Sequence, residues 1–440
     1  MEGNLSSDVE NGDSSQEAVP DPTALVGVLG LRDEHWYSVG SPPASIAQGW
    51  KLYVSATPAN YVRVLRAVAE VFMDAGFAFK YLRTLEQLMR MNAGLHGFSQ
   101  IGKCVVAYLH DPDAIPSLVT RLHMVLDHLR HEGPFVPRLP RAWPGGDVFY
   151  RYGSFVSASL IVGGEKLTDD RNQPWNILSK MDSNPFADSS SNVGETGPDE
   201  MLSILDRYPV TGTVCKSGKG GVFNAFESNG DQSRELVVKI GLRLGQILPD
   251  GRDGAHFVQH ERSMYELMRV LELSHCLPRI VDFSVEKDAT VLILEKLQGE
   301  NLADWRRCGG SDPVWLRMAM EMIEMIHCRG LVLGDAKTAN FVKVDSKLML
   351  VDLESCRLSV HGNNDNFPKT FAVLGAERYS LEEVDLIHFL VSAIYPVGHS
   401  DRWADRGRSV DVQDLLLNFV PKDEWELTAL NALSRVARAA

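Results

Sequence analysis

Cysteine is scarce in this chain of 440 residues: there are 6, and no two form a Cys-x-x-Cys pair. That excludes a disulfide scaffold and a cysteine-rich zinc module, and it predicts free thiols in a reducing cytoplasm. There is no apolar run near the ~18 residues that a membrane-spanning helix needs. The first residues, MEGNLSSDVENGDSSQEAVPDP, lack the basic and apolar regions of a signal peptide. Positive charge is also in deficit, 44 Lys and Arg against 58 Asp and Glu, a formal net charge of −14. A protein that holds nucleic acid or anionic membrane by bulk charge is therefore not expected, although a local basic site is allowed. What the chain does have is 44% hydrophobic residues, enough to bury large cores and to exclude global disorder.

Two stretches have few apolar anchors. Residues 1–22 read as a disordered tail, and 180–200, KMDSNPFADSSSNVGETGPDE, read as a linker rich in Ser, Asn, Asp, Gly and Pro. The expected order is a tail at 1–22, a front domain at 23–170, a linker at 171–205 and a back domain in two lobes, 206–298 and 299–440. The fold class predicted is α+β, from strands and helices that intersperse.

In the front domain, residues 49–56 alternate. Trp50, Leu52 and Val54 occupy one face and Lys51, Tyr53 and Ser55 the other, the pattern of a half-buried strand. Thr57 and Pro58 then read as the cap and first position of a helix on which Val62, Leu65, Ala69 and Phe72 recur, with Gly76 as its stop. Further strands are predicted at 77–81, 103–108 and 148–152, and a helix through Leu118, Leu122, Val125, Leu126 and Leu129. Lys51, Lys80 and Arg151 each lie on the less apolar face of a strand, and Lys103 joins them. The plain reading is solvated lysines on a sheet. The sharper one is a cluster of cations for a dianion such as phosphate.

In the back domain, Ser217-Gly218-Lys219-Gly220-Gly221-Val222-Phe223 is a glycine-rich turn entering an apolar strand. ELVVKI at 235–240 is a strand holding Lys239, and a helix carrying His260 and Glu261 follows. Strands are expected at 279–283 and 291–297, and a long amphipathic helix at 315–326. Then come Asp335, Lys337 and Asn340, and Asp352 after an apolar strand. This order fits the protein-kinase-like fold. One carboxylate must meet the substrate hydroxyl, and an Asn and a second Asp must hold Mg²⁺ on the nucleotide phosphates. Leu333-Gly334-Asp335 stands where His-Arg-Asp is usual, and Asp352-Leu353-Glu354 where Asp-Phe-Gly is usual. A pseudokinase is the competing reading.

Taken together, the segments HWYSVG, GWKLYVSATPAN, FAFKYLRT and VFYRYGSF resemble the lyase domain of class III and class IV lanthionine synthetases. GGVFNAF, VVKIGLRLGQILPDGRDGAHFVQHE and GLVLGDAKTANF resemble the kinase domain of the same family. The resemblance spans about 34–440. It implies a phosphothreonine-lyase-like domain followed by a two-lobed protein-kinase-like domain. The implied activity is that of a bifunctional dehydratase: Ser and Thr of a leader-bearing precursor peptide are phosphorylated with ATP or GTP and Mg²⁺, and phosphate is then eliminated to leave dehydroalanine or dehydrobutyrine.

The same resemblance implies the residue roles. Gly218, Gly220 and Gly221 belong to the nucleotide loop, Lys239 pairs with Glu261, and Glu295 to Leu297 border the base. Asp335 orients the hydroxyl, Lys337 meets the γ-phosphate, and Asn340 and Asp352 ligate the metal. In the lyase, Lys80 is the base, its pKa depressed by the neighbouring cations, and Lys51, Lys103, Arg141 and Arg151 clamp phosphate. Tyr53 stands where the family has a histidine acid. The family's cyclase domain would follow the kinase, yet the sequence stops at Ala440, as in lipolanthine-type synthetases that work with a separate decarboxylase or cyclase. An active peptide kinase whose front domain only binds phosphopeptide or partner enzymes is the alternative.

Overall fold

A computed structural model describes residues 31–32, 35–129, 133–134, 136, 141–142, 148–155, 159–162, 164–168, 202–229, 232–361, 372–395 and 409–439. The expected tail, and the linker except its last residues, lie outside the described residues.

The front part is a seven-stranded sheet with helices packed on it. In chain order come β1 (Leu31–Arg32), β2 (Trp36–Val39), β3 (Gln48–Val54), α1 (Tyr61–Asp74), β4 (Ala78–Leu82), α2 (Leu85–Ala93), β5 (Val105–Leu109), α3 (Ile115–His128), β6 (Arg141–Ala142) and β7 (Val148–Ser154). The spatial order is β1-β2-β4-β5-β3-β7-β6, antiparallel throughout. A hairpin of β8 (Ser159–Val162) and β9 (Glu165–Thr168) follows. β3 sits between β5 and β7, so it is interior to the sheet. Trp50, Leu52 and Val54 join a core with Val64, Leu65, Val68 and Phe72 of α1 and Leu118, Leu122 and Leu126 of α3.

Three sequence expectations need correction. β3 is not half-buried: every residue from Gly49 to Val54 is buried, and on the face of Lys51 and Tyr53 the side chains of Tyr108, Phe155 and Lys103 lie against them. Thr57-Pro58 does not start the helix. The Thr57 N–H donates to Asn60 Oδ1 at 2.8 Å, closing a turn, and α1 begins three residues later with Asn60 at its N-cap. Lys103 precedes β5 rather than lying in it, since the strand starts at Val105.

The back part opens with a five-stranded antiparallel sheet. Its strands are β10 (Val210–Ser217), β11 (Gly220–Asn229), β12 (Gln232–Leu242), β13 (Ile280–Val285) and β14 (Ala289–Glu295), in the order β10-β11-β12-β14-β13. α4 (Gly254–Val270) runs between β12 and β13, with the Asp253 side chain accepting from the His256 N–H as its N-cap. The strand expected to reach Leu297 ends at Glu295, where the chain leaves the sheet.

Next come β15 (Glu300–Asn301), α5 (Leu302–Arg307), α6 (Pro313–His327), β16 (Leu331–Val332), β17 (Phe341–Val344), β18 (Lys347–Leu350), β19 (Arg357–Leu358), α7 (Leu381–Ile394), α8 (Val412–Asn418) and α9 (Glu424–Ala439). α6 and α7 share a core with Phe341, Leu350 and the fully buried Trp425. The architecture is thus α+β. Among the described residues no helix is long and apolar enough to cross a membrane, and all six cysteines are free thiols.

Candidate active sites

In the front sheet, cross-strand register decides which side chains share a face. Lys51 stands opposite Tyr108 on β5 and Arg151 on β7. One step along, Tyr53 stands opposite Val106 and Phe149, and Val106 in turn faces Lys80 on β4. Directly opposed residues point to the same face of a sheet. Lys51, Tyr53, Lys80 and Arg151 therefore share the face turned away from the Leu52 side. Lys103 reaches it from the loop before β5, its Nζ 5.0 Å from the Tyr53 ring centre. The Nζ of Lys80 lies 4.3 Å from the ring centre of Trp36. Arg141 is in the edge strand β6, paired by backbone with Tyr150; its side chain lies outside the described residues.

These are not solvated surface lysines. Lys51, Lys103 and Arg151 retain 7%, 6% and 4% of their accessible surface. The Lys51 ammonium donates to Ser154 O, and Lys103 donates to Gln100 Oε1 at 3.2 Å. Burying positive charge is costly, and a site of this kind suits a dianion that would offset the cost.

In the back part, Lys239 on β12 bridges two carboxylates. Its Nζ is 2.6 Å from Glu261 Oε1 on α4 and 2.9 Å from Asp352 Oδ1. Glu261 is 1% exposed and also accepts from the Leu353 N–H at 3.1 Å. Burial pushes the Glu261 carboxyl up, against the pull of Lys239. Burial would lower the Lys239 ammonium, but Asp352 and Glu261 raise it well above the usual lysine range. Burial would raise the Asp352 carboxyl, but Lys239, Lys337 and Lys219 together hold it well below the carboxylate range. The backbone of Asp352 is left-handed at φ 66°, a conformation that costs a non-glycine residue ~1 kcal/mol or more and is kept where surroundings enforce it.

The loop after β16 supplies the remaining groups. Lys337 Nζ is 2.7 Å from Asp335 Oδ2, and Asn340 Nδ2 donates to Asp335 O at 3.2 Å. The Asn340 carbonyl accepts from the Val351 N–H at 2.9 Å, so β17 and β18 carry Asn340 and Asp352 to adjacent positions. An amide oxygen from Asn340 and a carboxylate from Asp352 are hard donors of the kind Mg²⁺ takes.

Glu295 and Leu297 lie at and just past the end of β14. Both are half-buried, and Glu295 ties the sheet together, accepting from the Arg279 backbone at 2.9 Å and Arg234 at 3.3 Å. The turn at 217–221 is a tight hairpin in which Ser217 pairs with Gly220. Gly220 has φ 144°, and a Cβ there would stand 1.9 Å from Ile240 O. The Gly218 N–H donates to Ala93 O at the end of α2, 3.2 Å away, and a Cβ on Gly218 would stand 1.6 Å from Asn92 O.

Three contributors, Asp385, Glu354 and Lys219, escaped the sequence reading. Asp385, 1% exposed on α7, accepts from the Leu333 and Gly334 N–H groups at 2.5 and 2.7 Å and lies 3.1 Å from His327 Nε2. It fixes the loop that carries Asp335. Glu354 forms an ion pair with Lys219, through both carboxylate oxygens. The only hint in the sequence was Glu354 two residues past Asp352; nothing local marks Asp385, some fifty residues from the loop it holds.

A family model described as RamC, N-terminal domain, matches residues 23–190. Among curated proteins, a probable SapB synthase of Streptomyces coelicolor (strain ATCC BAA-471 / A3(2) / M145) is 26% identical over 445 residues, covering 91% of this chain. The chain spans 45% of the length of that relative.

Proposed function

We propose that this chain is a lanthipeptide-type peptide dehydratase that phosphorylates Ser and Thr and then eliminates the phosphate. The similarity of its front part to the RamC N-terminal model and of most of the chain to a probable SapB synthase supports the general class. The observation that supports the reaction is the occurrence in one chain of two separate charged clusters, each with groups that suit phosphate. One is the Lys239–Glu261–Asp352 cluster beside Asp335 and Asn340; the other is the buried cation face of the front sheet.

In the first step, Asp335 orients the substrate hydroxyl and accepts its proton as the oxygen attacks the γ-phosphorus. Lys337, already against Asp335, steadies the transferring phosphoryl group. Lys239 holds the nucleotide phosphates, with Glu261 fixing its direction. A divalent cation held by Asn340 and Asp352 would neutralise charge on those phosphates.

In the second step, Lys51, Lys103 and Arg151 grip the phosphate ester. Lys80 removes the Cα proton, its electron pair forms the Cα–Cβ double bond, and the Cβ–O bond breaks with its pair leaving on phosphate. Tyr53, beside Lys103 and on the Lys51 face, donates a proton to the departing oxygen.

Incubating a Ser-bearing leader peptide with nucleoside triphosphate and Mg²⁺, read by mass spectrometry, tests this. Transient gain of phosphate followed by net loss of water is expected. Stable phosphopeptide alone would leave a kinase with a binding front domain, and no mass change would refute both steps.

A further inference from the structure

The Lys219–Glu354 pair lies outside the roles derived above, and it joins the glycine-rich turn to the segment that follows Asp352. Lys219 occupies the apex of the hairpin between β10 and β11, one of only two residues between paired Ser217 and Gly220. Its backbone is seated from two sides: the carbonyl accepts from the Leu242 N–H at 2.8 Å, and the preceding N–H, of Gly218, is bonded to Ala93. The apex therefore has little freedom, and the direction of its side chain is set by β12 and α2 rather than by the turn itself. That direction is inward. The ammonium meets both oxygens of Glu354, whose side chain is 14% exposed. Two residues earlier, Asp352 holds the ammonium of Lys239. Two lysines from the same sheet thus converge on one short acidic segment.

We propose that Lys219 is a further phosphate-binding lysine of the nucleotide site, beside Lys239 and Lys337, held by Glu354 until a nucleoside triphosphate takes its place. This rests on the kinase reading. A polyphosphate binds between a glycine-rich turn and the strand beneath it, beside Lys239. Lys219 is the one cation carried by that turn, and its present partner is a carboxylate, an anion of the same donor-accepting kind as a phosphate oxygen. Nucleotide binding is then an exchange: the Lys219–Glu354 bonds break, the ammonium moves to a phosphate oxygen, and Glu354 is released. No covalent step is involved. The same exchange makes Glu354 a competitor of the nucleotide, which accounts for an acidic residue at a position where a glycine would leave Lys219 unanswered.

The experiment is calorimetric titration of the full chain, with Mg²⁺, using ATP, GTP and the corresponding unphosphorylated nucleosides. Lys219→Met should weaken binding of the preferred triphosphate by about 10-fold or more, the loss of one charge-assisted hydrogen bond, and leave nucleoside binding within about 2-fold. Lys219→Arg, which keeps the charge, should recover most of that loss. Glu354→Gln should tighten triphosphate binding by at least about 3-fold, because a charged competitor is gone. Circular dichroism melts confirm that each variant is folded. Wild-type affinity in Lys219→Met, or weaker binding in Glu354→Gln, would overturn the exchange while leaving the kinase reading intact. No triphosphate binding by the wild type would overturn both. If Lys219→Met is unfolded, Glu354→Gln alone decides.

Discussion

Lys51 and Arg151 stand directly across from each other on β3 and β7, two cations at one cross-strand step in the interior of a sheet. Like charges so placed repel each other, and a dianion bound against both would add favourable contacts to each. Inorganic phosphate should therefore raise the melting temperature of the chain. At a hundredfold excess over its Kd the stabilisation is about 2.7 kcal/mol. The increment should shrink sharply in Lys51→Met and in Arg151→Met, as followed by thermal melts with and without phosphate. An equal increment in all three proteins would move the phosphate elsewhere.

Lys80 shares the face of Tyr53 on the front sheet. Lys80→Ala should leave phosphorylation running and stop elimination. Phosphopeptide should accumulate, visible as mass gain in place of water loss. Normal dehydration by this variant would dismiss Lys80 as the base.

Tyr53 is 3% exposed, with the Lys103 ammonium over its ring. Tyr53→Phe deletes only the hydroxyl. If that hydroxyl protonates the leaving phosphate, elimination from phosphopeptide should slow by ~10²–10⁴-fold, the usual worth of general acid help. Tyr53→His, which restores the residue expected from the family resemblance, should speed elimination near neutral pH, where imidazole is the better-matched acid. A silent Phe variant together with no gain from His would remove Tyr53 from the mechanism.

Asp352 has its carboxyl held well below the ordinary range by the three ammonium groups of Lys239, Lys337 and Lys219, which outweigh its burial. A carboxyl depressed on folding contributes stability that is present above its unfolded value, ~3.9, and is lost as pH falls through the folded one. Asp352→Asn removes that contribution. Its stability, measured by denaturant titration from pH 7 to pH 2, should fall less steeply in acid than that of the wild type. The same variant should lose phosphoryl transfer at every pH. Wild-type turnover in Asp352→Asn would contradict the metal role.

Asp385 answers two backbone N–H groups in a fully buried setting. Asp385→Ala leaves both without a partner, at ~1–3 kcal/mol each. A melting temperature lowered by several degrees and a strongly reduced phosphorylation rate are expected, with phosphate elimination from ready-made phosphopeptide retained. Loss of both reactions together would show that the two halves do not report separately.

The groups that were legible from sequence are those whose order along the chain is imposed by the chemistry. Lys239, Glu261, Asp335, Asn340 and Asp352 each lie on an element with a clear period or motif, and the structure gathers Lys239, Glu261 and Asp352 within hydrogen-bond reach. In the front part, alternation placed Lys51 and Tyr53 on one face because a strand has period two. Burial was not legible. Alternation in β3 suggested a solvated face, whereas side chains from other segments, Tyr108, Phe155 and Lys103, lie against Lys51 and Tyr53 on that face. Asp385, Lys219 and Glu354 were illegible for a different reason. Their roles arise from contacts between distant segments, and one aspartate among the polar residues of a helix or a lysine in a turn carries no periodic signal.

Gly218 is kept small not by its own turn but by the carbonyl of Asn92, a residue of the other half of the chain. A front half borrowed from a relative would have to end its second helix at the same spot to within a few tenths of an ångström, or the glycine-rich turn would have nowhere to rest. The two halves are therefore poor candidates for independent shuffling. Chimaeras joined between them should express as two sound folds and still fail as one enzyme, until the helix end and the turn are exchanged as a set.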